Sequence, residues 1–481
     1  MAVKLDQQAA LRKRGTKQTA ADTRAADTKA AAKGHRKPKM PYLQAQVVHY
    51  KPRVSVLDKE LTTVSYHGLV NFCLLLLSAT LIRLAIENYM KYGILVSIPG
   101  TGVSRRDWVA MLVGIACVGV SFFVALAIEV NAIPKKPASE GKGEALRVGV
   151  SKEEKVTVAM HLANLAFVLV VPSCITYFAI FQPALGTLVM MLACIMFLKL
   201  YSLAATNFDL RRAYRLGDKG LDSDPLRIDY SVAYPRNVTL RNFGYFWLAP
   251  TLCYQPSYPR IAGPIRKSFV AKRLTELVIL CITMYIVIQQ YAIPTLVGSV
   301  QAIDKRDGFW LSERVLKLSV ISAAIWFLGF YAIFHAGLNA LAEVLRFADR
   351  AFYLDWWNSV DLAAYWREWN LPIHYFCKRH IMMPLISAPL SLPVDVGVVF
   401  TFLVSAIMHE LLFGIPTHSL KGYSFVGMMA QIPLIQVTQW LVRWRGPESG
   451  LGNAVFWISF CIVGQPLGVV QYYYTWVKNN P

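Results

Sequence analysis

The run VDVGVVFTFLVSAIMHELLFGI, residues 394–415, is almost entirely apolar. A helix needs roughly 20 mostly apolar residues to cross the hydrocarbon core of a bilayer. The run is therefore predicted to be a transmembrane helix. It carries two ionisable side chains, His409 and Glu410, in its second half. Such groups are costly to place in lipid unless a partner or a water-filled cavity receives them, so they are candidate functional residues.

Similar apolar runs occur along most of the chain. The protein has 481 residues, of which 55% are hydrophobic and 16% charged, whereas about a quarter of the residues of a soluble protein are charged. We predict an all-α polytopic membrane protein with about nine transmembrane helices, which excludes an ordinary soluble enzyme. The predicted spans are residues 68–90, 108–131, 157–181, 185–203, 272–296, 314–342, 394–414, 423–442 and 453–476.

Residues 1–56 form a basic arm that lacks the composition of a folded domain. The arm is rich in Ala, Lys and Arg, and no Phe, Trp or Tyr precedes Tyr42. Such a segment buries too little apolar surface to offset its ordering entropy. We therefore predict a disordered arm followed by one membrane domain, residues 57–481. The arm is either a solvated tail or a contact with anionic lipid head groups, and no nucleic-acid partner is expected.

The net charge of +21 is carried mainly by segments outside the predicted spans. Most Lys and Arg residues lie in the segments on the same side of the membrane as the amino-terminus. Because positively charged loops are retained in the cytosol, we predict a cytosolic N-terminus.

A second stretch, FYLDWWNSVDLAAYWREWNLPIHYF, residues 352–376, lies between the sixth and seventh predicted spans. It is too polar to cross a bilayer and too aromatic for an ordinary surface loop. Trp and Tyr rings favour the head-group region, where one edge of the ring is apolar and the other wet. We predict an interfacial amphipathic helix, or a pair of short helices, at the entrance to the site that contains His409.

The pair formed by His409 and Glu410 does not complete a zinc motif. The last position of HExxH is a histidine, and Phe413 occupies that position here. No other His, Cys and Asp residues have ligand spacing, so no metal site is predicted. A neutral imidazole in a membrane cavity can act as a general base toward a hydroxyl. The alternative, a histidine that only donates to a helix carbonyl, is equally compatible with this span. His335 is assigned that structural role, with Asn339 as its hydrogen-bond partner.

Three segments together resemble the membrane-bound O-acyltransferase (MBOAT) superfamily. They are RFADRAFYLDWWNS (346–359), YWREWNLPIHYF (365–376) and VSAIMHE (404–410). They are most similar to the branch of acyl-CoA:diacylglycerol and acyl-CoA:sterol O-acyltransferases. The likeness runs from Leu57 to the carboxyl-terminus. It implies an MBOAT type of fold, an endoplasmic reticulum membrane location and a homodimer.

Two carboxyl-terminal segments bear on the acyl acceptor. GMMAQIPL (427–434) and GNAVFWISFCIVGQP (452–466) resemble the diacylglycerol enzymes, so the implied product is triacylglycerol. A sterol acceptor stays the alternative within the same chemistry. A proton-coupled transporter is the alternative from a different class. It is disfavoured because the spans show neither paired broken helices nor other intramembrane charges that could form a path.

The resemblance also implies roles for individual residues. His409 is the general base that deprotonates the acceptor hydroxyl, which attacks the thioester of acyl-CoA directly and without a cofactor. Asn370 would place the thioester, and Glu410 and Gln465 would orient the acceptor or the base. The residues expected to contact the substrates are Trp369, His374, Lys378, Arg379, Ser405, Met428 and Gln431. The loop before span seven, IMMPLISAPLSLP, has no basic residues, so we assign the CoA phosphates to Lys378, Arg379 and His380. The FYxDWWN motif consists of Phe352, Tyr353, Asp355, Trp356, Trp357 and Asn358.

Overall fold

The structure, a computed structural model, describes residues 67–134, 151–216 and 234–479. Within these ranges nine helices are long and apolar enough to cross a membrane. Numbered as spans 1 to 9, they are His67–Tyr92, Arg105–Asn131, Lys152–Ala179, Pro183–Leu216, Lys267–Asp304, Gly308–Val344, Val394–Gly414, Tyr423–Arg445 and Leu451–Asn479. The nine predicted spans and the all-α class are thereby confirmed. The predicted arm, 1–56, and the first residues of the predicted domain, 57–66, lie outside the described residues.

The chain divides into two compact units between Arg83 and Leu84. Of the first unit, only the first turns of span 1 belong to the described residues, and side chains there such as Leu75 and Ile82 are exposed. The second unit, Leu84–Pro481, contains every candidate site residue. The exposed apolar side chains of span 1 are those expected of a helix surface that faces lipid.

Span 4 continues to Leu216, although the predicted apolar run ended at residue 203. Its second half carries polar side chains that are fully buried in protein, among them Asn207 (0% exposed) and Arg211 (1% exposed). Hydropathy does not detect such a segment, because the polar groups are satisfied by neighbouring helices and are not exposed to lipid.

Arg211 belongs to a buried ionic cluster, which consists of Glu129, Glu154, His161, Arg211 and Arg215. Arg211 pairs with Glu129 from span 2 and, at 2.9 Å between Nη2 and Oε1, with Glu154 from span 3. His161 Nε2 lies 2.9 Å from Glu129 Oε1, and Arg215 Nη1 lies 3.2 Å from Glu154 Oε2. The expectation that the spans hold no further intramembrane charges is therefore wrong. Opposite charges on adjacent spans pair with each other, which offsets the cost of taking each out of water.

Residues 352–376, called the aromatic segment below, lie in the connection between span 6 and span 7. They form a single 3-10 turn, Trp356–Asn358, and two short helices, Leu362–Glu368 and Leu371–Cys377. The first helix begins where Asp361 Oδ1 accepts a hydrogen bond of 2.7 Å from Ala364 N, a standard N-terminal cap. The predicted pair of short helices is confirmed.

The FYxDWWN motif packs the aromatic segment against the spans. Phe352 and Trp356 are buried, at 2% and 1% exposure, whereas Asp355, Trp357 and Asn358 are exposed. The Trp356 ring has centroid contacts of 5.1–6.1 Å with rings of spans 6 and 9, namely Trp326, Phe327, Phe330 and Trp457. Aromatic pairs in this range stabilise a core beyond their buried area. The buried residues of this motif are thus structural.

Tyr353, the second residue of the motif, is hydrogen-bonded to span 6. Its hydroxyl lies 2.9 Å from His335 Nδ1. The prediction that Asn339 is the partner of the His335 ring is wrong. Asn339 Nδ2 donates instead to the carbonyl oxygens of His335 (2.9 Å) and Phe334 (3.2 Å), because a short amide one turn along a helix reaches the backbone more readily than a ring that points away.

Candidate active site

His409 lies in span 7, and its ring has a defined hydrogen bond. The Nδ1 atom is 2.8 Å from the carbonyl oxygen of Ser405, one turn earlier. A carbonyl oxygen can only accept, so Nδ1 carries the proton and the neutral ring presents an unprotonated Nε2. The Ser405 hydroxyl is farther from the ring, at 3.4 Å from Nδ1. This geometry orients Nε2 as a proton acceptor, which is the state that a general base requires.

Glu410, the next residue, has its carboxylate engaged with the protein. Oε1 accepts from Gly422 N (2.8 Å), and Oε2 accepts from Phe425 N (3.3 Å) and from the Tyr472 hydroxyl (2.8 Å). These bonds join span 7 to the first turn of span 8 and to span 9. Glu410 is half-buried, and hydrogen bonds that a carboxylate accepts are stronger than those between neutral groups. In this arrangement Glu410 holds the helices that surround His409.

Gln465 lies in span 9, immediately after a π-helical turn, Ile458–Gly464. Within the described part of the chain, its Oε1 is buried and has no hydrogen-bond partner. Buried polar atoms without a partner are rare and costly in folded proteins. The orphan Gln465 oxygen is therefore available to a ligand that donates a hydrogen bond.

Asn370 occupies the N-cap of the helix Leu371–Cys377, where its Oδ1 accepts from Ile373 N at 3.2 Å. The cap fixes the orientation of the amide and leaves the Nδ2 group without a hydrogen bond to the described residues. Its neighbour Trp369 is half-buried and contacts the Trp366 ring, with 6.1 Å between the centroids. Trp366 in turn contacts Phe402 of span 7 at 5.7 Å. The aromatic segment is thus packed directly against the helix that carries His409.

The residues that follow Asn370 form a basic surface. Burial lowers the pKa of His374, and the nearby cations Lys378 and Arg367 lower it further, so the ring is neutral at neutral pH. Lys378 is exposed. Arg379 uses two of its donors within the protein, to Tyr254 O (3.0 Å) and to the Thr206 hydroxyl (3.1 Å), and therefore has fewer donors left for a ligand.

The remaining predicted contact residues lie on spans 7 and 8. Met428 is buried, and Gln431 donates from Nε2 to Gly427 O at 3.1 Å. No hydrogen bond among the residues that the structure describes joins His409 to Asn370, Glu410 or Gln465. The four predicted catalytic residues lie on span 7, span 9 and the aromatic segment, and their roles toward substrate stay predictions.

Sequence reasoning missed a second polar network beside this site. Ser202 Oγ accepts from Tyr254 N (2.8 Å) and is also hydrogen-bonded to His380 Nε2, 2.7 Å away. Burial, with Arg379 as a nearby cation, lowers the pKa of His380 to about 4. Lys199 is buried as well and donates to two carbonyl oxygens, at 2.7 and 2.9 Å. A lysine inside a predicted apolar span is the signal that could have revealed this network.

Comparisons with known proteins identify the family of the chain. A family model described as MBOAT, membrane-bound O-acyltransferase family, matches residues 227–470. Diacylglycerol O-acyltransferase 1 of Corylus americana is 37% identical over 439 residues, which cover 91% of this chain and 77% of that protein. Diacylglycerol O-acyltransferase 1C of Glycine max is 36% identical over 456 residues, covering 92% and 83%. Diacylglycerol O-acyltransferase 1 of Arabidopsis thaliana is 37% identical over 436 residues, covering 90% and 78%.

The family model includes the aromatic segment, span 7 with His409, and Gln465. The three relatives are similar to this chain over more than three quarters of their own length. The chain therefore belongs to the membrane-bound O-acyltransferase family.

Proposed function

We propose that the protein is an acyl-CoA:diacylglycerol O-acyltransferase, which transfers a fatty acyl group to the free hydroxyl of diacylglycerol and makes triacylglycerol. The observation that carries the proposal is the hydrogen bond from His409 Nδ1 to Ser405 O, which leaves Nε2 as a base inside an apolar span. The similarity to relatives named diacylglycerol O-acyltransferases supports the choice of acceptor.

The reaction needs one proton acceptor. His409 Nε2 takes the proton of the diacylglycerol hydroxyl while the hydroxyl oxygen attacks the thioester carbonyl carbon of acyl-CoA. The new C–O bond forms, the C–S bond breaks, and the imidazolium returns the proton to the departing sulfur of CoA. A thioester is already an activated acyl donor. The proposal therefore requires no metal, no cofactor and no covalent enzyme intermediate.

Other residues position the two substrates. The free Nδ2 of Asn370, fixed by its capping bond, would donate to the thioester oxygen, and the orphan Oε1 of Gln465 would accept from the acceptor alcohol. Glu410 acts indirectly, because its carboxylate holds spans 7, 8 and 9 together around the base. Lys378 is exposed at the end of the aromatic segment and would meet the CoA phosphates.

The proposed setting is the endoplasmic reticulum membrane, with the N-terminus in the cytosol and two copies of the chain forming a homodimer. The concentration of Lys and Arg outside the spans, on the side of the N-terminus, supports the orientation. Acyl-CoA would then reach the aromatic segment from the cytosol, and diacylglycerol would arrive from the bilayer.

The choice of acceptor is tested with the purified protein in nanodiscs. Labelled oleoyl-CoA is supplied together with diacylglycerol, with cholesterol, or with neither lipid. We expect labelled triacylglycerol only in the first sample. Steryl ester as the sole product would show that the acyl acceptor is a sterol and not diacylglycerol. Movement of a solute across vesicles without any acyl transfer would contradict the assignment as an enzyme.

The variant Gln465→Leu separates a role in substrate binding from a role in folding. Removal of an unpaired buried oxygen leaves the apparent Tm unchanged or higher, because that oxygen stabilises nothing in the free protein. Loss of its hydrogen bond to the acceptor should lower kcat/KM for diacylglycerol about tenfold. The matched control is Gln471→Leu, the same change six residues along span 9. A Gln465→Leu protein with full activity would show that this oxygen does not contact the substrate.

A further inference from the structure

A cationic pocket lies outside the site described above, where span 6 ends. It has a volume of about 430 Å³. Three segments of the chain form it: the helix Leu240–Leu248, the loop at Arg260, and the last residues of span 6 with the turn that follows. Its lining residues are Arg241, Gly244, Tyr245, Leu248, Arg260, Val344, Leu345 and Arg346. The pocket is thus shared by segments far apart in sequence.

The backbone segments that carry Arg260 and Arg346 are paired with each other. Arg260 and Phe347 form an isolated antiparallel bridge. Ile261 N donates to Arg346 O (2.9 Å), and Ala348 N donates to Pro259 O (3.0 Å). Arg346 has a φ of 53°, the left-handed conformation with which a helix commonly ends, and Phe347 N donates to Ala342 O across this turn at 2.8 Å.

The three guanidinium groups have no carboxylate among the residues that line the pocket. The nearby Glu343 is already bound by Arg266 and Arg350, each at 2.7 Å. Arg260 stacks on the Tyr245 ring, with 4.3 Å from Cζ to the ring centroid, which orients it but neutralises nothing. An anion that binds there would meet guanidinium groups that no carboxylate of the pocket lining neutralises.

One wall of the pocket is apolar and open. Leu248 is 54% exposed and Val344 is 49% exposed, and Val344 is the last residue of a helix long enough to cross the membrane. Exposed aliphatic side chains at the end of a membrane-spanning helix suit contact with acyl chains, and arginines beside them suit contact with head groups. A ligand that matches both walls carries a phosphate and an acyl chain.

We propose that this pocket binds the head-group phosphate of an anionic phospholipid, whose acyl chains lie along Leu248 and Val344. Arginine suits this task because its planar group donates two parallel hydrogen bonds to phosphate oxygens. The site is separate from the acyl-transfer residues, so the lipid is a bound component of the membrane and not the acyl acceptor.

The test measures lipid retention and needs no acyl transfer, so it stands apart from the proposed activity. The full-length protein is purified in detergent and incubated with equal amounts of phosphatidylglycerol and phosphatidylcholine of the same acyl chains. Native mass spectrometry then counts each bound lipid. We expect a preference for phosphatidylglycerol that falls about fivefold in Arg241→Gln and about fivefold in Arg346→Asn. Asparagine is used at 346 because it tolerates the left-handed backbone.

The matched control is Arg443→Gln, which removes an exposed arginine near the end of span 8 and should keep the wild-type preference. Apparent Tm values verify that each variant is folded. An unchanged preference in the double variant Arg241→Gln/Arg346→Asn would overturn the proposal. So would displacement of phosphatidylglycerol from the wild-type protein by CoA or by inorganic phosphate, since either result would assign the pocket to a soluble phosphate.

Discussion

Replacing His409 with alanine is expected to reduce acyl transfer by about 10²–10⁴-fold, the usual contribution of a positioned general base. The change removes the only proton acceptor that the proposed reaction uses. The ring is half-buried in span 7 and makes a single strong hydrogen bond, to Ser405 O, so its loss should leave the protein inserted and folded. Labelled triacylglycerol formed per minute in nanodiscs, at saturating acyl-CoA, measures the effect.

A second variant, His409→Gln, sharpens this result. A glutamine can donate to the Ser405 carbonyl as the imidazole does, but its amide does not accept a proton near neutral pH. We expect the same loss of activity as in His409→Ala with a Tm closer to wild type. Substantial turnover in either variant would show that another group removes the proton. If instead the loss of activity came with a large fall in Tm in both variants, His409 would have a structural role.

The second large effect is expected on stability, from Arg211→Leu. This side chain is 1% exposed and pairs with two carboxylates, on Glu129 (0% exposed) and Glu154. Its removal leaves uncompensated buried charge between spans 2, 3 and 4, a change that costs about 3–5 kcal/mol. The midpoint of thermal unfolding in detergent should fall clearly. Activity in the surviving folded fraction should be close to normal, since the ionic cluster does not contact His409 through any hydrogen bond between described residues.

A double-mutant cycle identifies the cause of that loss. Arg211→Gln and Glu154→Gln each change the net charge of the ionic cluster by one, whereas the double variant removes one charge of each sign. We expect the loss of unfolding free energy in the double variant to be about 1–3 kcal/mol smaller than the sum of the two single losses. Additive losses would indicate that packing, and not charge pairing, makes Arg211 necessary. The control Arg443→Gln should leave the unfolding midpoint unchanged.

Much of the fold was predictable from the sequence. Nine apolar runs gave nine spans because the bilayer imposes both a length and a composition on any helix that crosses it. The end of span 4 was not predictable in this way. Its residues Asn207 and Arg211 are satisfied by protein partners, and hydropathy measures the match to lipid, not the match to a neighbouring helix.

The candidate site was only partly predictable. The position of His409 within an apolar run made it a candidate base, and the hydrogen bond to Ser405 O then fixed which nitrogen is free. The bonds of Glu410 to Gly422, Phe425 and Tyr472 could not be inferred, because they depend on how the turn after span 7 folds back. The partner of the His335 ring, the Tyr353 hydroxyl, could not be inferred either, because Tyr353 lies in the aromatic segment beyond span 6. Three-dimensional contacts between distant segments leave no local pattern in one sequence.

The contact between Gly452 and the aromatic segment bears on how fast substrates can exchange at the site. A Cβ at position 452 would overlap the Val360 carbonyl oxygen, and the neighbouring Asn453 donates to Trp357 O and Ser359 O at 3.1 and 2.9 Å. On the other side, Leu362 N donates to Thr438 of span 8. The segment is therefore anchored to spans 8 and 9. Under the proposed function, substrate exchange would follow the microsecond-to-millisecond motion of packed helices, and not the faster fluctuation of a free surface loop.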